Sequence, residues 1–140
     1  MELAAALDFA RTTHNGVLTT LKRDGRPQLS NITYWVSDGG TIRISITADR
    51  AKYHNIVRDP RVSLYVTQQD FWAYAVLEGD AVVSAVAQAT DDHAVEELVD
   101  LYREVRGEHP DWDEYRQAMV SEHRCIVHIT PTHAYGMLGR

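Results

Sequence analysis

The chain has 140 residues, 44% of them hydrophobic, which predicts a single globular domain over residues 1–140. A net charge of −6 argues against general nucleic-acid binding, which requires a broad basic surface. The single cysteine, Cys125, excludes an internal disulfide and suits a reducing cytoplasm. No apolar run approaches about 18 residues, and Glu2 and Asp8 lie near the start, so we expect neither a membrane-spanning helix nor a signal peptide.

The apolar pattern of the first third of the chain predicts one helix followed by three strands. The predicted elements are a helix over Glu2–Arg11 and strands over Asn15–Leu21, Pro27–Ser37 and Ile42–Thr47. Asp24-Gly25 separates the first two strands and is typical of a hairpin turn. In the third strand, isoleucines at every second position are predicted to face the core. The hydroxyls of Ser45 and Thr47 therefore share the opposite face.

The rest of the chain alternates between short strands and amphipathic helices. The predicted elements are a helix over Arg50–Arg58 with Asp49 as its N-cap, a strand around Val62–Val66, a long strand over Ala73–Ala87 bent at Gly79, helices over Asp91–Arg106 and from Asp111, and a last strand over Arg124–Tyr135. Strands joined mostly by tight turns predict a mainly β fold. We expect an antiparallel barrel, with helices in the longer connections.

Two cations, Arg50 and Lys52, lie in the predicted first turn after the third strand. The macrodipole makes this end of a helix positive, so acidic residues are the usual occupants. The placement is explained if an anion is held there by the cations, the free backbone N–H groups and the hydroxyls of Ser45 and Thr47. From residue chemistry alone, a phosphate site and an ordinary pair of solvated charges both remain open.

Four motifs in fixed order resemble a known family. They are the hairpin from Leu18 to Asn31, the Arg50-Ala51-Lys52 start with Asn55, the run from Arg58 to Arg61, and Glu78-Gly79 with the closing His133-Ala134-Tyr135-Gly136. Together they resemble the split β-barrel flavin and deazaflavin oxidoreductases, relatives of pyridoxamine 5′-phosphate oxidase. Within that superfamily the chain is most similar to the actinobacterial group that uses the deazaflavin coenzyme F420. The resemblance runs from about Thr12 to Gly136.

The resemblance implies a homodimer with cofactor sites at the subunit interface, and F420 as cofactor with FMN as the alternative. Arg50 and Lys52 would then hold the cofactor phosphate. The polar residues expected to border its ring and ribityl chain are Gln28, Ser30, Asn31, Ser45 and Thr47. The residues expected from the opposite subunit are Trp72, Tyr74 and the turn Tyr135-Gly136-Met137. The chain lacks the extended C-terminal substrate-binding tail of pyridoxamine phosphate oxidase, so vitamin B6 oxidation is not expected.

No catalytic acid–base set and no metal-ligand spacing stand out among the seven histidines, and Cys125 lies within an apolar strand, where an inert thiol is expected. This suits chemistry carried by a cofactor. The predicted function is hydride transfer from reduced F420 to a small conjugated acceptor. The alternatives are an FMN-dependent oxidase or reductase of the same fold, and a carrier that binds F420, FMN or haem without turnover.

A second group of cations surrounds the hairpin turn. Cations such as Lys22, Arg23 and Arg26 at a hairpin turn are normally exposed to solvent and bind nothing. If the cofactor is F420, they could instead contact its oligoglutamate tail. If the fold brings them to Arg50, Lys52 and Arg58, the six form a local basic patch that suits a polyanionic ligand.

Overall fold

Six antiparallel strands close into a barrel in the computed structural model, which describes residues 1–139. The elements in chain order are α1 Leu3–Ala10, β1 Asn15–Leu21, β2 Pro27–Val36, β3 Ile42–Thr47, α2 Ala51–Arg58, β4 Arg61–Thr67, β5 Tyr74–Val83, α3 His93–Arg106, α4 Trp112–Ser121 and β6 Arg124–Met137. The strand order around the barrel is β1-β2-β3-β6-β5-β4, with β4 paired to β1. The predicted mainly β barrel with peripheral helices is therefore confirmed.

Alternation along the strands fills the barrel with one set of apolar side chains. On β3, the isoleucines at 42, 44 and 46 are at most 1% exposed, while the residues between them are half-buried on the outer face. Helix α1 packs against this core through Ala6 and Ala10, and the Tyr34 hydroxyl donates to the Ala10 carbonyl at 2.6 Å. The predicted faces of β3 are thus confirmed, and Ser45 and Thr47 face outward.

Helices α3 and α4 pack outside the barrel and form a second, smaller core. Val95 and Leu98 of α3 and Met119 of α4 pack with Ile126, whose side chain faces outward from β6. Each helix begins at an aspartate whose carboxylate accepts a backbone N–H three residues on: Asp92 from Val95, and Asp111 from Glu114. None of the described helices is long and apolar enough to cross a membrane.

Three predicted boundaries are wrong, two of them for identifiable reasons. Arg50, not Asp49, is the N-cap of α2, and no side chain caps the helix; the Asp49 carboxylate interacts with the Thr47 side chain instead, which lowers the pKa of that carboxyl. Strand β5 ends at Val83 rather than near Ala87. There the Ser84 hydroxyl, in place of a backbone carbonyl, accepts the Ile126 N–H, which interrupts the ladder. Strand β6 continues two residues beyond the predicted end.

The predicted bend at Gly79 corresponds to a shift in the register between β5 and β6, located between Glu78 and Gly79. A Cβ at position 79 would lie 2.1 Å from the Thr130 carbonyl oxygen. The close approach of the two backbones at this irregularity therefore requires glycine.

The Cys125 side chain is buried in the barrel core, where burial raises its pKa to about 11. We expect Cys125→Ala to leave the fold intact and to lower the free energy of unfolding by about 1 kcal/mol, the scale for removing one small buried group. Cys125→Ser should cost more, because its hydroxyl requires a hydrogen bond in apolar surroundings. Urea denaturation of the three proteins measures both. A serine variant as stable as wild type would contradict this description of the site.

Candidate functional site

A large cleft lies on the outer face of the barrel, between the sheet, the first turn of α2 and the α3–α4 pair. It encloses about 1570 Å³, more than the 300–1,000 Å³ or so of a typical small-molecule pocket. An elongated ligand, or a cofactor together with a second molecule, therefore fits.

The floor of the cleft is polar and comes from two neighbouring strands. Asn31 and Thr33 alternate outward on β2, and Ser45 and Thr47 do so on β3. Because side chains two apart on a strand share a face, these amide and hydroxyl groups form one continuous polar surface. The floor offers hydrogen-bond donors and acceptors along its length.

The opposite wall is apolar and aromatic. Its residues come from the facing surfaces of α3 and α4: Leu101, Tyr102, Val105, Tyr115 and Met119. The rings of Tyr102 and Tyr115 lie 5.0 Å apart between centroids, and the Tyr115 hydroxyl donates to the Leu98 carbonyl at 3.0 Å. These five side chains therefore give the cleft an apolar face beside its polar floor.

Four cations and no carboxylates line the cleft among the residues that the structure describes. The cations are Arg50, Lys52, Arg106 and Arg124. The chain as a whole has 20 acidic residues and a net charge of −6, so the absence of carboxylates here runs against the charge of the whole molecule. The cleft is thus locally positive and suited to an anion.

The cations converge where β3 ends and α2 begins. Antiparallel pairing places Thr47 opposite Arg124 at the first position of β6. The Arg50 guanidinium donates from Nε to the Thr47 hydroxyl at 3.3 Å. Within residues 1–139, no carboxylate lies within ion-pair distance of Arg50 or Lys52, whereas Arg124 pairs with Glu122 at 3.0 Å. Among the described residues, two of the clustered positive charges therefore form no ion pair, although the Asp49 carboxylate lies near enough to Arg50 for the two charges to interact.

Backbone donors add to this positive end of the cleft. Helix α2 has no side-chain cap, and its first backbone hydrogen bonds run from the Tyr53 and His54 N–H groups to the Arg50 carbonyl. The N–H groups of Ala51 and Lys52 precede these and have no acceptor among the described residues. Free N–H groups, the helix dipole and adjacent cations are the elements of a phosphate-binding site.

The charge cluster perturbs Lys52. Its pKa is lowered from the ordinary lysine value, first by partial burial and then by repulsion from Arg50 and Arg124. A group whose folded-state pKa lies below its unfolded value destabilises the fold while it is charged, and this cost is relieved as the pH rises through the folded pKa. At neutral pH, Lys52 therefore costs stability unless an anion compensates.

The structure brings some of the predicted site residues together and leaves others apart. Asn31, Ser45, Thr47, Arg50 and Lys52 line the same cleft. Gln28 and Ser30 do not, because they alternate to the other face of β2.

Both residues on that inner face have other surroundings. The Gln28 side-chain oxygen accepts from Asn55 at 3.0 Å. The Ser30 hydroxyl is buried and has no hydrogen-bond partner among the described residues.

The residues predicted to come from a second subunit lie outside the cleft of their own chain. Tyr74 and Met137 are paired across β5 and β6, and Trp72 precedes β5 at the same end of the barrel. Trp72 and Met137 are 57% and 55% exposed. Leu138, the next residue, does line the cleft, so this end of the barrel adjoins it.

The hairpin cations do not join the cleft. Lys22, Arg23 and Arg26 are exposed at the turn between β1 and β2, and none of them lines the cleft. Arg58 donates to the Leu21 carbonyl at 2.7 Å, which places the hairpin base at the C-terminal end of α2. Arg50 lies at the other end, about 12 Å away along an eight-residue helix. The six cations therefore form two groups rather than one patch.

Sequence reasoning missed Arg124, Arg106 and the α3–α4 wall. Arg124 was visible as a cation at the start of the last strand, but its position in the cleft depends on the register between β3 and β6. Among residues 1–139, no group of three or more His, Cys, Asp or Glu side chains is placed to hold a metal ion.

Known proteins resemble this chain over almost its whole length. A family model described as pyridoxamine 5′-phosphate oxidase matches residues 3–138. A conserved hypothetical protein from Mycobacterium tuberculosis has 25% identity and a TM-score of 0.76, covering 100% of this chain and 86% of that one. A protein named F420 reductase has 25% identity and a TM-score of 0.64, with coverage of 91% and 94%. A haem-binding protein from Mycobacterium smegmatis shares the fold at 17% identity and a TM-score of 0.69, with coverage of 99% and 55%.

Lys52→Ala should lower the affinity for a phosphate-bearing ligand without lowering the stability of the fold. We expect a loss of roughly 1.5–3 kcal/mol in the binding free energy of a phosphate-bearing ligand such as FMN or F420, the scale of one charge-assisted hydrogen bond. The melting temperature should stay the same or rise, because the substitution removes a charge with a lowered pKa. Isothermal titration and thermal denaturation of the same samples measure the two effects.

The control is Arg23→Ala, which also removes one positive charge but from an exposed position outside the cleft. It should leave affinity nearly unchanged. Lys52→Arg should retain binding and extend it to higher pH, because a guanidinium remains charged where the lysine loses its proton. Equal losses from Lys52→Ala and Arg23→Ala would show that the cleft does not hold the phosphate.

Proposed function

Because the chain belongs to the pyridoxamine 5′-phosphate oxidase family, we propose that it is an F420-dependent oxidoreductase that transfers hydride from reduced F420 to a small conjugated organic acceptor. The observation that carries the proposal is the cleft, lined by four cations and no described carboxylate in a protein of net charge −6. Such a site selects an anionic ligand against the field of the rest of the surface.

The number of cations favours F420 over FMN. Both cofactors have a phosphate, but F420 continues beyond it into a lactyl-oligoglutamate tail whose carboxylates also need positive partners. Arg50 and Lys52 suffice for a phosphate, and Arg106 is a further exposed cation of the same cleft. The 25% identity to a protein named F420 reductase, over 91% of this chain, supports the same choice.

The residues of the chain fit such a cofactor. The free N–H groups of α2 and the cations beside them would hold the phosphate, and the side chains of Asn31, Ser45 and Thr47 would hydrogen-bond the polar parts of the ligand along the floor. The α3–α4 wall excludes water from the opposite side. F420, when bound, supplies the hydride chemistry, so the protein needs only to bind, orient and shield the reactants.

A homodimer with the cofactor at its interface is part of the proposal. Five large hydrophobic side chains are 42% to 75% exposed at the end of the barrel where β5 begins and β6 ends: Phe71, Trp72, Tyr135, Met137 and Leu138. We call this group the apolar rim. Contiguous apolar surface of this kind marks protein–protein contacts. Because Leu138 also lines the cleft, a subunit covering the rim would reach the bound cofactor.

Cofactor preference tests the proposal against its closest rival, the same fold using FMN. We predict that F420 binds more tightly than FMN at low salt and that raising the ionic strength narrows the difference, because salt screens the tail carboxylates from the cations. Titrations of both cofactors at two salt concentrations measure this. FMN binding as tightly as F420 at low salt would move the assignment to the flavin alternative.

Two further variants test which cations contact the oligoglutamate tail of F420. Arg106→Gln, inside the cleft, should weaken F420 and spare FMN. Arg23→Gln, at the hairpin and outside the cleft, should leave the affinities for both cofactors nearly unchanged. Turnover of reduced F420 with candidate acceptors then separates an enzyme from a carrier. Binding without any turnover would favour the carrier.

Dimerisation and cofactor affinity should fall together when the rim is disrupted. We predict that Met137→Asp yields a monomer by sedimentation and weakens F420 binding at least about tenfold, because a charge at an apolar interface is strongly unfavourable. Val82→Asp is the control, since Val82 is 65% exposed near the other end of β5. A monomeric Met137→Asp protein that binds F420 at full strength would overturn the shared site.

A further inference from the structure

A buried amide connects α2 to the β1–β2 hairpin. Asn55 is 7% exposed, and its Nδ2 donates to the Thr20 hydroxyl at 3.1 Å and to Gln28 Oε1 at 3.0 Å. Its Oδ1 accepts from Arg58 at 2.9 Å. Thr20 and Gln28 are direct partners across the two strands. One side chain therefore joins both strands to the helix, and we call Asn55, Thr20 and Gln28 the amide anchor.

Helix α2 depends on such contacts for its position. It has eight residues and no side-chain cap at its N-terminus, and a helix of that length is not stable alone in water. Ile56 packs into the barrel core, which fixes the distance between helix and barrel. Apolar contact is not directional, whereas the hydrogen bonds of the amide anchor define the rotation and the axial position of the helix.

The anchor lies one turn from the phosphate-binding atoms. Asn55 follows Ala51 by four residues, so about 6 Å of rigid helix separates the anchored side chain from the free N–H groups. Binding sites of this kind require their donors to be placed within about 0.5 Å. Any rotation of α2 therefore moves the N–H groups of Ala51 and Lys52 and the Arg50 side chain together.

We infer that the amide anchor sets the geometry of the phosphate site, with Asn55, Thr20 and Gln28 as positioning residues that do not touch the ligand. The inference rests on the proposed function, since it requires a phosphate-bearing cofactor at α2. It also gives Gln28 a different role from the direct ring contact expected from the sequence. None of the three residues lines the cleft.

The test compares ligands that differ only in the phosphate. Riboflavin is FMN without its phosphate, so the ratio of the two dissociation constants reports the phosphate site alone. For Gln28→Ala we expect FMN affinity to fall on the order of tenfold while riboflavin affinity changes by less than about twofold. Gln28→Glu keeps an acceptor oxygen for Asn55 and should restore the wild-type ratio. A residue that only stabilises the fold would lower the melting temperature without changing this ratio.

A second variant of the amide anchor and a control variant on the same helix complete the test. Asn55→Leu retains the volume but removes every hydrogen bond of the anchor, and it should lower the FMN-to-riboflavin preference at least as much as Gln28→Ala. Val57→Ala is the control on the same helix, because Val57 is 62% exposed and outside the anchor. In the double variant, the two losses should not add, since both remove the same contact. If Asn55→Leu does not fold, Gln28→Ala and Gln28→Glu decide the question alone.

Three results would overturn the inference. Equal loss of FMN and riboflavin in Gln28→Ala would mean that Gln28 contacts the ring. An unchanged ratio in both Gln28→Ala and Asn55→Leu would mean that the anchor does not act on the phosphate site. A wild-type protein without any preference for FMN over riboflavin would overturn the phosphate site itself, which separates failure of the proposed function from failure of the anchor alone.

Discussion

A cluster of positive charge where β3 meets α2 is the constraint on which the rest of the site depends. Arg50 and Lys52 have no described carboxylate within ion-pair distance, and Arg124 is brought beside them by strand pairing. Partial burial, and after it repulsion from Arg50 and Arg124, lowers the pKa of Lys52 and so makes its positive charge unfavourable in the free protein. Proteins retain such a cost where function requires it, because binding of an anion compensates the repulsion.

The local features of this arrangement could be predicted from the sequence, because they depend on residues close together in the chain. Alternation on β3 predicted which way Ser45 and Thr47 point, and Arg50 and Lys52 line the same cleft as these hydroxyls. The binding of an anion there stays a prediction. The features that could not be predicted depend on contacts between distant segments. Arg124 reaches the site only through the register of β6 against β3. Gln28 has the right chemistry for a ligand contact but faces Asn55, a residue 27 positions away.

The cleft combines two surfaces that suit a cofactor with hydride chemistry of its own. The barrel supplies a rigid polar floor, since its side-chain directions are fixed by the closed sheet. The α3–α4 pair supplies an apolar wall held by a separate small core. Reactions carried by a cofactor need orientation and exclusion of water more than they need protein acids or bases. The buried Cys125, with its raised pKa, is correspondingly outside the cleft.

A crystal structure of the protein with F420 bound tests the central claim most directly. The account predicts phosphate oxygens within hydrogen-bonding distance of the Ala51 or Lys52 backbone N–H groups, with the side chains of Arg50 and Lys52 around them. It also predicts the deazaflavin ring on the polar floor of β2 and β3. A complex with the phosphate away from the first turn of α2, and these cations in contact only with solvent, would contradict it.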